Sequence, residues 1–146
     1  MTQEDKELLL KDLCARLPYG VKIVIQDTFK YSIVSREYHV LDVSNFSDIF
    51  CFNYKKFDKH MKKAMRERPN DIVIKPYLLP LSSMTKEQRY ELHDLIHNLN
   101  VLAINGEIGD WIVSSSEIDW YNKNHFDYRH LIEKGLAIDA TGLNIY

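Results

Sequence analysis

His93 and His97 stand four residues apart, the spacing that puts two imidazoles on one helical face within reach of a single divalent metal. The tract reads HDLIH, so Asp94 occupies the place of the glutamate that comes after the first histidine in an HExxH protein. Sequence places no third ligand beside them, and His60 and His125 are the candidates to supply one through folding. On a helical wheel the pair falls on the polar flank with Tyr90 and Asp94, away from Leu92, Leu95 and Ile96. A metal-dependent enzyme built on His93 and His97 is one reading; a pair of solvated surface histidines is the other.

A second constellation is His125, Asp127, Tyr128, Arg129 and His130, close behind Asp119 and Trp120. A histidine, a carboxylate, a phenol and a guanidinium in so short a stretch can supply a general acid, an orienting group and an anion clamp. They can equally form a surface for a partner, with His125, Asp127, Tyr128 and Arg129 as the contact residues. The same residues also suit a purely architectural role: Asp119 and Asp127 as helix caps, Trp120 and Phe126 as core aromatics, Arg129 paired with a nearby carboxylate.

The third is a segregation of charge. Asn53–Pro69 reads NYKKFDKHMKKAMRERP, seven Lys and Arg against two acids, in a chain whose formal net charge is −2. Tyr54, Phe57, Met61, Ala64 and Met65 recur at helical spacing, so the segment predicts a basic amphipathic helix. Lys55, Lys56, Lys59, Lys62, Lys63 and Arg66 on its outer face could neutralise nucleic-acid phosphates. They could also simply keep that face in water.

Other chemistries lack their signatures. Ser82-Ser83 and Ser114-Ser115-Ser116 sit outside any GxSxG elbow, and five glycines form neither GxGxxG nor a phosphate loop, so no cofactor is implied. Cys14 and Cys51 have no CxxC spacing and read as reduced, buried thiols of an intracellular protein. No run reaches 18 apolar residues, and the acidic start MTQEDKELLLKDLC is unlike a secretory leader, so the expected compartment is the cytoplasm, with no membrane partner.

These candidates must be held by a body with 45% apolar and 12% aromatic residues over 146 positions, enough for a single domain with a real core across 1–146. Thr2 and Asp5 make a capping box for a first helix whose inner stripe is Leu9, Leu13, Cys14 and Leu17, stopped at Pro18-Tyr19-Gly20. Three β-type runs come next, Val21–Gln26, Phe29–Ser35 and Tyr38–Val43, and Ile49–Asn53 can extend them. After the basic helix, Ile72–Ile74 reads as a strand, while Pro76 and Pro80 deny the stretch that contains them a central place in the sheet. Thr85 and Gln88 box the start of a helix to about Leu99. Val101–Ile104 and Trp111–Val113 read as short strands around an Asn105-Gly106 turn. Ser116 with Asp119 opens a short helix, and Asp127 opens another that ends at a left-handed Gly135. Gly135–Ile138 reads as an extended tail packed on the body. The predicted fold is α+β: an antiparallel sheet of four or five strands, able to curl into a small partly open barrel. An N-terminal helix, a basic helix and two or three further C-terminal helices flank it.

Three blocks carry a resemblance. LLLKDLCARLPYGVK at 8–22, IKPYLLPLSSMTKEQ at 74–88 and IDWYNKNHFDYRHLIEKGLAI at 118–138 resemble, in the same order, a family of small proteins from phages, prophages and mobile elements of gut anaerobic bacteria. The family usually has Arg where Leu79 stands and an aliphatic residue where Tyr121 stands, and the basic segment lies between the matching blocks. No defined activity travels with it. The resemblance implies a setting in which small proteins bind other macromolecules. The functional expectation is a non-enzymatic binding or accessory protein of a phage or mobile element, with a protein or nucleic acid as partner.

Overall fold

The N-terminal helix, α1 (Gln3–Arg16), begins as its capping box requires: the Asp5 amide donates to Thr2 Oγ1 at 3.1 Å and the Thr2 amide to Asp5 Oδ2 at 3.0 Å. The bond from the Thr2 amide favours the ionised carboxylate and holds the Asp5 pKa below its usual value. A 3₁₀ turn over Leu17–Tyr19 ends the helix at Gly20, whose φ of 67° needs no Cβ. The buried stripe of α1 is Leu9, Asp12, Leu13 and Arg16, in place of the expected Leu9, Leu13, Cys14 and Leu17. Cys14 is exposed, which corrects its reading as a buried thiol. The stripe rotates because Asp12 and Arg16, one turn apart, neutralise each other and can be buried together.

The structure, a computed structural model, describes residues 1–27, 38–43, 49–51, 67–68 and 71–146. The expected strand Phe29–Ser35 lies outside the described residues. So does the basic segment apart from Glu67 and Arg68, and with it all six nucleic-acid candidates, Lys55 to Arg66.

The strands are β1 (Lys22–Asp27), β2 (Tyr38–Val43), β3 (Ile49–Cys51), β4 (Ile72–Leu78) and β5 (Ile138–Asp139), in the spatial order β3-β2-β1-β4-β5. β1 runs antiparallel to β4 with Ile23 opposite Pro76 and Ile25 opposite Ile74, whereas β5 runs parallel to β4 with Tyr77 opposite Ile138. This corrects the expected antiparallel sheet. The sheet is mixed, because β5 runs parallel to β4, and its outer strands β3 and β5 do not meet as a barrel requires.

The parallel pairing is possible because a long helical excursion separates β4 from β5, as parallel neighbours need. Pro76 is likewise buried inside the central strand, against expectation. β5 begins only opposite Tyr77, so on that edge the missing amide of Pro76 leaves no ladder bond unmade.

Alternation along β1 sorts the core. Val21, Ile23 and Ile25 face α1, joining Leu9, Leu13, Ile72, Ile74, Leu78 and Leu131. Val24 turns to the other face and meets Tyr77, Ala140 and Ile145, so this strand is buried on both sides. Each such aliphatic side chain, fully removed from water, contributes roughly 1.5–3 kcal/mol.

The excursion is a hairpin of two helices, α2 (Lys86–Ile104) and α3 (Asp110–Lys123). The Thr85–Gln88 box starts α2 as expected, with amide-to-side-chain bonds of 3.2 and 2.9 Å. Both expected strands beyond Leu99 are helical instead, and Ser116 lies inside α3 rather than at its start. Asn105-Gly106 is indeed a turn, but it is a helix terminus. Gly106 has φ 75°, its amide bonds to the Ala103 carbonyl, and the Glu107 amide reaches back to Leu102, the Schellman arrangement. An Asn-Gly pair serves a hairpin turn or a helix end, and the strand reading chose the first.

The expected helix from Asp127 to Gly135 is reduced to turns. Its signals are real: Asp127 accepts from the Leu131 and Ile132 amides, and Gly135 is left-handed at φ 70°. His130, inside the span, is also left-handed at φ 60° and breaks it into turns, and His125 just before it is left-handed at φ 59°. Among the described residues the α-helices are therefore α1, α2 and α3, and of the further C-terminal helices expected the one from Asp127 is absent.

Candidate functional site

Asp12 and Arg16 are both fully buried, and Arg16 grips Asp12 with two bonds, Nε to Oδ2 at 2.8 Å and Nη2 to Oδ1 at 3.1 Å. The remaining guanidinium hydrogens leave α1 altogether: Nη2 donates to the Phe126 carbonyl at 2.8 Å and Nη1 to that of Tyr121 at 3.4 Å. One side chain thus ties the first helix to the end of α3 and to the chain beyond it. Arg129 brings a second guanidinium, its Nε 3.2 Å from Asp12 Oδ1, poorly aligned for a hydrogen bond. The Tyr128 ring lies near both cations, 4.7 Å from Arg129 Cζ and 5.6 Å from Arg16 Cζ, and stacks on Tyr121.

The sequence constellation is therefore split. Tyr128 and Arg129 join Asp12 and Arg16, while Asp127 is turned away, both its oxygens holding the amides of the next turn. His125 is 8% exposed and stacks on Tyr146 with ring centroids 3.7 Å apart. Burial, assisted by the charges of Arg16 and Lys22, pushes its pKa down to about 4, so the ring is neutral at pH 7. Its backbone does the rest: the Leu79 amide donates to the His125 carbonyl, and the Asp127 amide to the Leu79 carbonyl, continuing β4 past its end. With both Asp127 oxygens on amides and no hydrogen bond at His125 Nδ1, no carboxylate among the described residues holds that nitrogen for proton transfer. What the arrangement does is lock three chain segments around a desolvated charge cluster.

His93 and His97 lie on α2 with their rings stacked, centroids 6.2 Å apart, and both are exposed. Asp94 Oδ1 is 3.7 Å from His93 Nδ1. Among the described residues no three His, Cys, Asp or Glu side chains are grouped to hold a metal ion. The hydroxyls of Ser83 and Ser115 bond to the backbone carbonyls of Pro80 and Ile112.

An open groove runs between α2 and α3, floored by Trp120 and Leu95 and edged by Glu91, Ser115, Asp119 and Lys123. Its acids are engaged: Glu91 accepts from Trp120 Nε1 at 3.2 Å, and Asp119 accepts from the Tyr19 hydroxyl, whose pKa that bond raises. The open apolar surface lies elsewhere on the hairpin. Ile104 is 84% exposed at the end of α2 and Trp111 73% exposed at the start of α3, so both stand at the hairpin tip. Trp111 folds back over the bare Cα of Gly109, where a Cβ would come within 2.8 Å of the indole.

The sequence reading missed Asp12, Arg16 and Trp111. The first two had a signal: charged residues at 12 and 16 share the helical row of Leu9 and Leu13, and opposite charges set four apart within an apolar row mark a buried pair. Trp111 had none, because the residues around it read as a strand. No helix among the described residues is long and apolar enough to cross a membrane. No family model, curated protein or solved structure matches the chain.

Proposed function

We propose that this chain is a non-catalytic binding or accessory protein that presents the tip of the α2–α3 hairpin to a protein partner. The exposure of Trp111 carries the reading. A tryptophan 73% open to water, with Ile104 84% open at the other end of the same turn, is apolar area that folding leaves unused, and tryptophan anchors are the residues that dominate protein interfaces. The charge cluster beneath supports it, since it fixes the base of the hairpin to α1 and lets the tip project from a rigid body. The phage or mobile-element setting rests on the three sequence blocks and supplies a context without a mechanism.

The test is a comparison of partner recovery from producing cells by the wild-type chain and by Trp111→Ala. Because the indole is solvent-facing, the variant should keep its helical circular dichroism and melting temperature while partner recovery falls at least about tenfold. Equal recovery by the two proteins would overturn the reading.

The charge segregation of Asn53–Pro69 favours a second reading, a nucleic-acid-binding module using Lys55, Lys56, Lys59, Lys62, Lys63 and Arg66. Fluorescence anisotropy with a labelled duplex would then show affinity falling steeply with salt, and reversal of Lys59, Lys62 and Lys63 to Glu would abolish it. Absence of binding at low salt removes this second reading.

A further inference from the structure

Along α2, opposite the buried face of Leu92, Leu95 and Ile96, runs a second stripe: Tyr90, Asp94, His97, Val101 and Ile104. Their spacing of four, three, four and three residues is that of a coiled-coil seam. All five are exposed, Tyr90 at 72% and Ile104 at 84%, so the seam has no partner among the described residues. An ordinary surface helix is polar on this side. Here three of the five positions are apolar, two of them large, and the two polar ones are of complementary type.

We propose that this stripe pairs with the same stripe of a second copy of the chain, the two α2 helices running antiparallel. The order of side chains selects the occupant. A two-fold axis passing between Leu95 and Ile96 brings Tyr90 of each copy onto Val101 of the other and Asp94 of each onto His97 of the other. Ile104 then lies against the first turn of the opposite α2. Tyr90 meets Val101 and acid meets imidazole twice over, while Ile104 falls opposite Glu87, so the self-complementarity that an isologous interface demands rests on the two inner pairs. A parallel pair would set Asp94 beside Asp94, which costs several kcal/mol of specificity in general and rules out that register. A lipid surface is disfavoured by Asp94 at the centre of the seam and by Glu107 and Asp110 just beyond its end.

One helix pair lies at the small end of specific interfaces, so the association is weak and reversible. It uses α2 rather than Trp111, so its failure and that of the partner-binding reading are separable.

The experiment is sedimentation equilibrium of the full chain over a roughly hundredfold range of concentration reaching about 1 mM, where an interface of this size is populated. The mass should rise with concentration from 17.3 kDa toward twice that value. Asp94→Lys and His97→Asp should each raise the dissociation constant at least about tenfold, and the double variant, which exchanges the charges, should restore it. Trp111→Ala should leave it unchanged. All these positions are exposed, so the fold survives the changes. A mass that stays at 17.3 kDa throughout overturns the proposal, as does self-association that ignores both single substitutions or is not rescued by the double one.

Discussion

Arg16→Met is expected to cost about 3–5 kcal/mol of folding stability, measured as a shift in the urea midpoint at constant slope. The substitution keeps the length and apolar stem of the side chain but removes the charge that makes a fully buried Asp12 tolerable. It also strips the Phe126 carbonyl of its 2.8 Å donor and the Tyr121 carbonyl of its 3.4 Å one. Arg129, 3.2 Å from Asp12, can recover part of the charge balance by reorienting, so the loss should fall below that of an isolated buried carboxylate. Removing the partner charge as well, with Asp12→Leu in the Arg16→Met background, should return much of the lost stability, because a well-packed apolar pair rivals a buried ion pair. If Arg16→Met unfolds at the wild-type midpoint, the cluster does not hold the fold together as described.

The second large effect is a pH dependence centred on His125. An unfolded histidine titrates near 6.5, and the folded ring is held at about 4 by burial and by Arg16 and Lys22. The groups facing it are the Arg16 guanidinium from α1, the Lys22 ammonium from β1 and the Tyr146 ring from the C-terminal segment; Asp127, two residues on, is occupied by backbone amides. Well above pH 6.5 both states carry a neutral ring and the residue contributes no slope. As the pH falls below 6.5 the unfolded chain takes up a proton that the folded chain refuses, so stability declines, reaching a loss of about 3 kcal/mol near pH 4. His125→Asn tolerates the left-handed backbone and cannot titrate. It should lower stability at neutral pH, through loss of the stack on Tyr146, yet flatten the slope between pH 6.5 and 4. Parallel stability curves for the two proteins would refute the assignment. Asp5, whose pKa is lowered, adds its own loss only as the pH drops through the carboxylate range, below this window.

Local chemistry was legible in the sequence wherever it acted alone. The capping boxes at Thr2 and Thr85 and the left-handed Gly135 all stand where residue type placed them, because a cap is decided within four residues. What decides the rest is distant. Val101–Ile104 is apolar enough for a strand, yet α2 runs on through it to the Asn105-Gly106 terminus. The turn chemistry of 127–135 is legible at both ends, but the helix between them is broken at His130, whose φ is positive. The parallel direction of β5 depends on where the whole hairpin delivers the chain, and no local pattern encodes that.

The mixed sheet has a consequence for the chain as it is being made. β1 and β4 can pair as soon as Leu78 has been synthesised, but β4's other edge is completed by the Leu79–Phe126 bridge, by β5 and by the Ala140 amide on the Leu78 carbonyl. Until residues 126 and 138–140 emerge, Tyr77 and Leu78 present unpaired backbone on an apolar strand, the kind of edge that recruits other strands. The nascent protein therefore passes through an interval, as long as the synthesis of α2 and α3, in which its central strand is half finished and exposed to its neighbours on the same message.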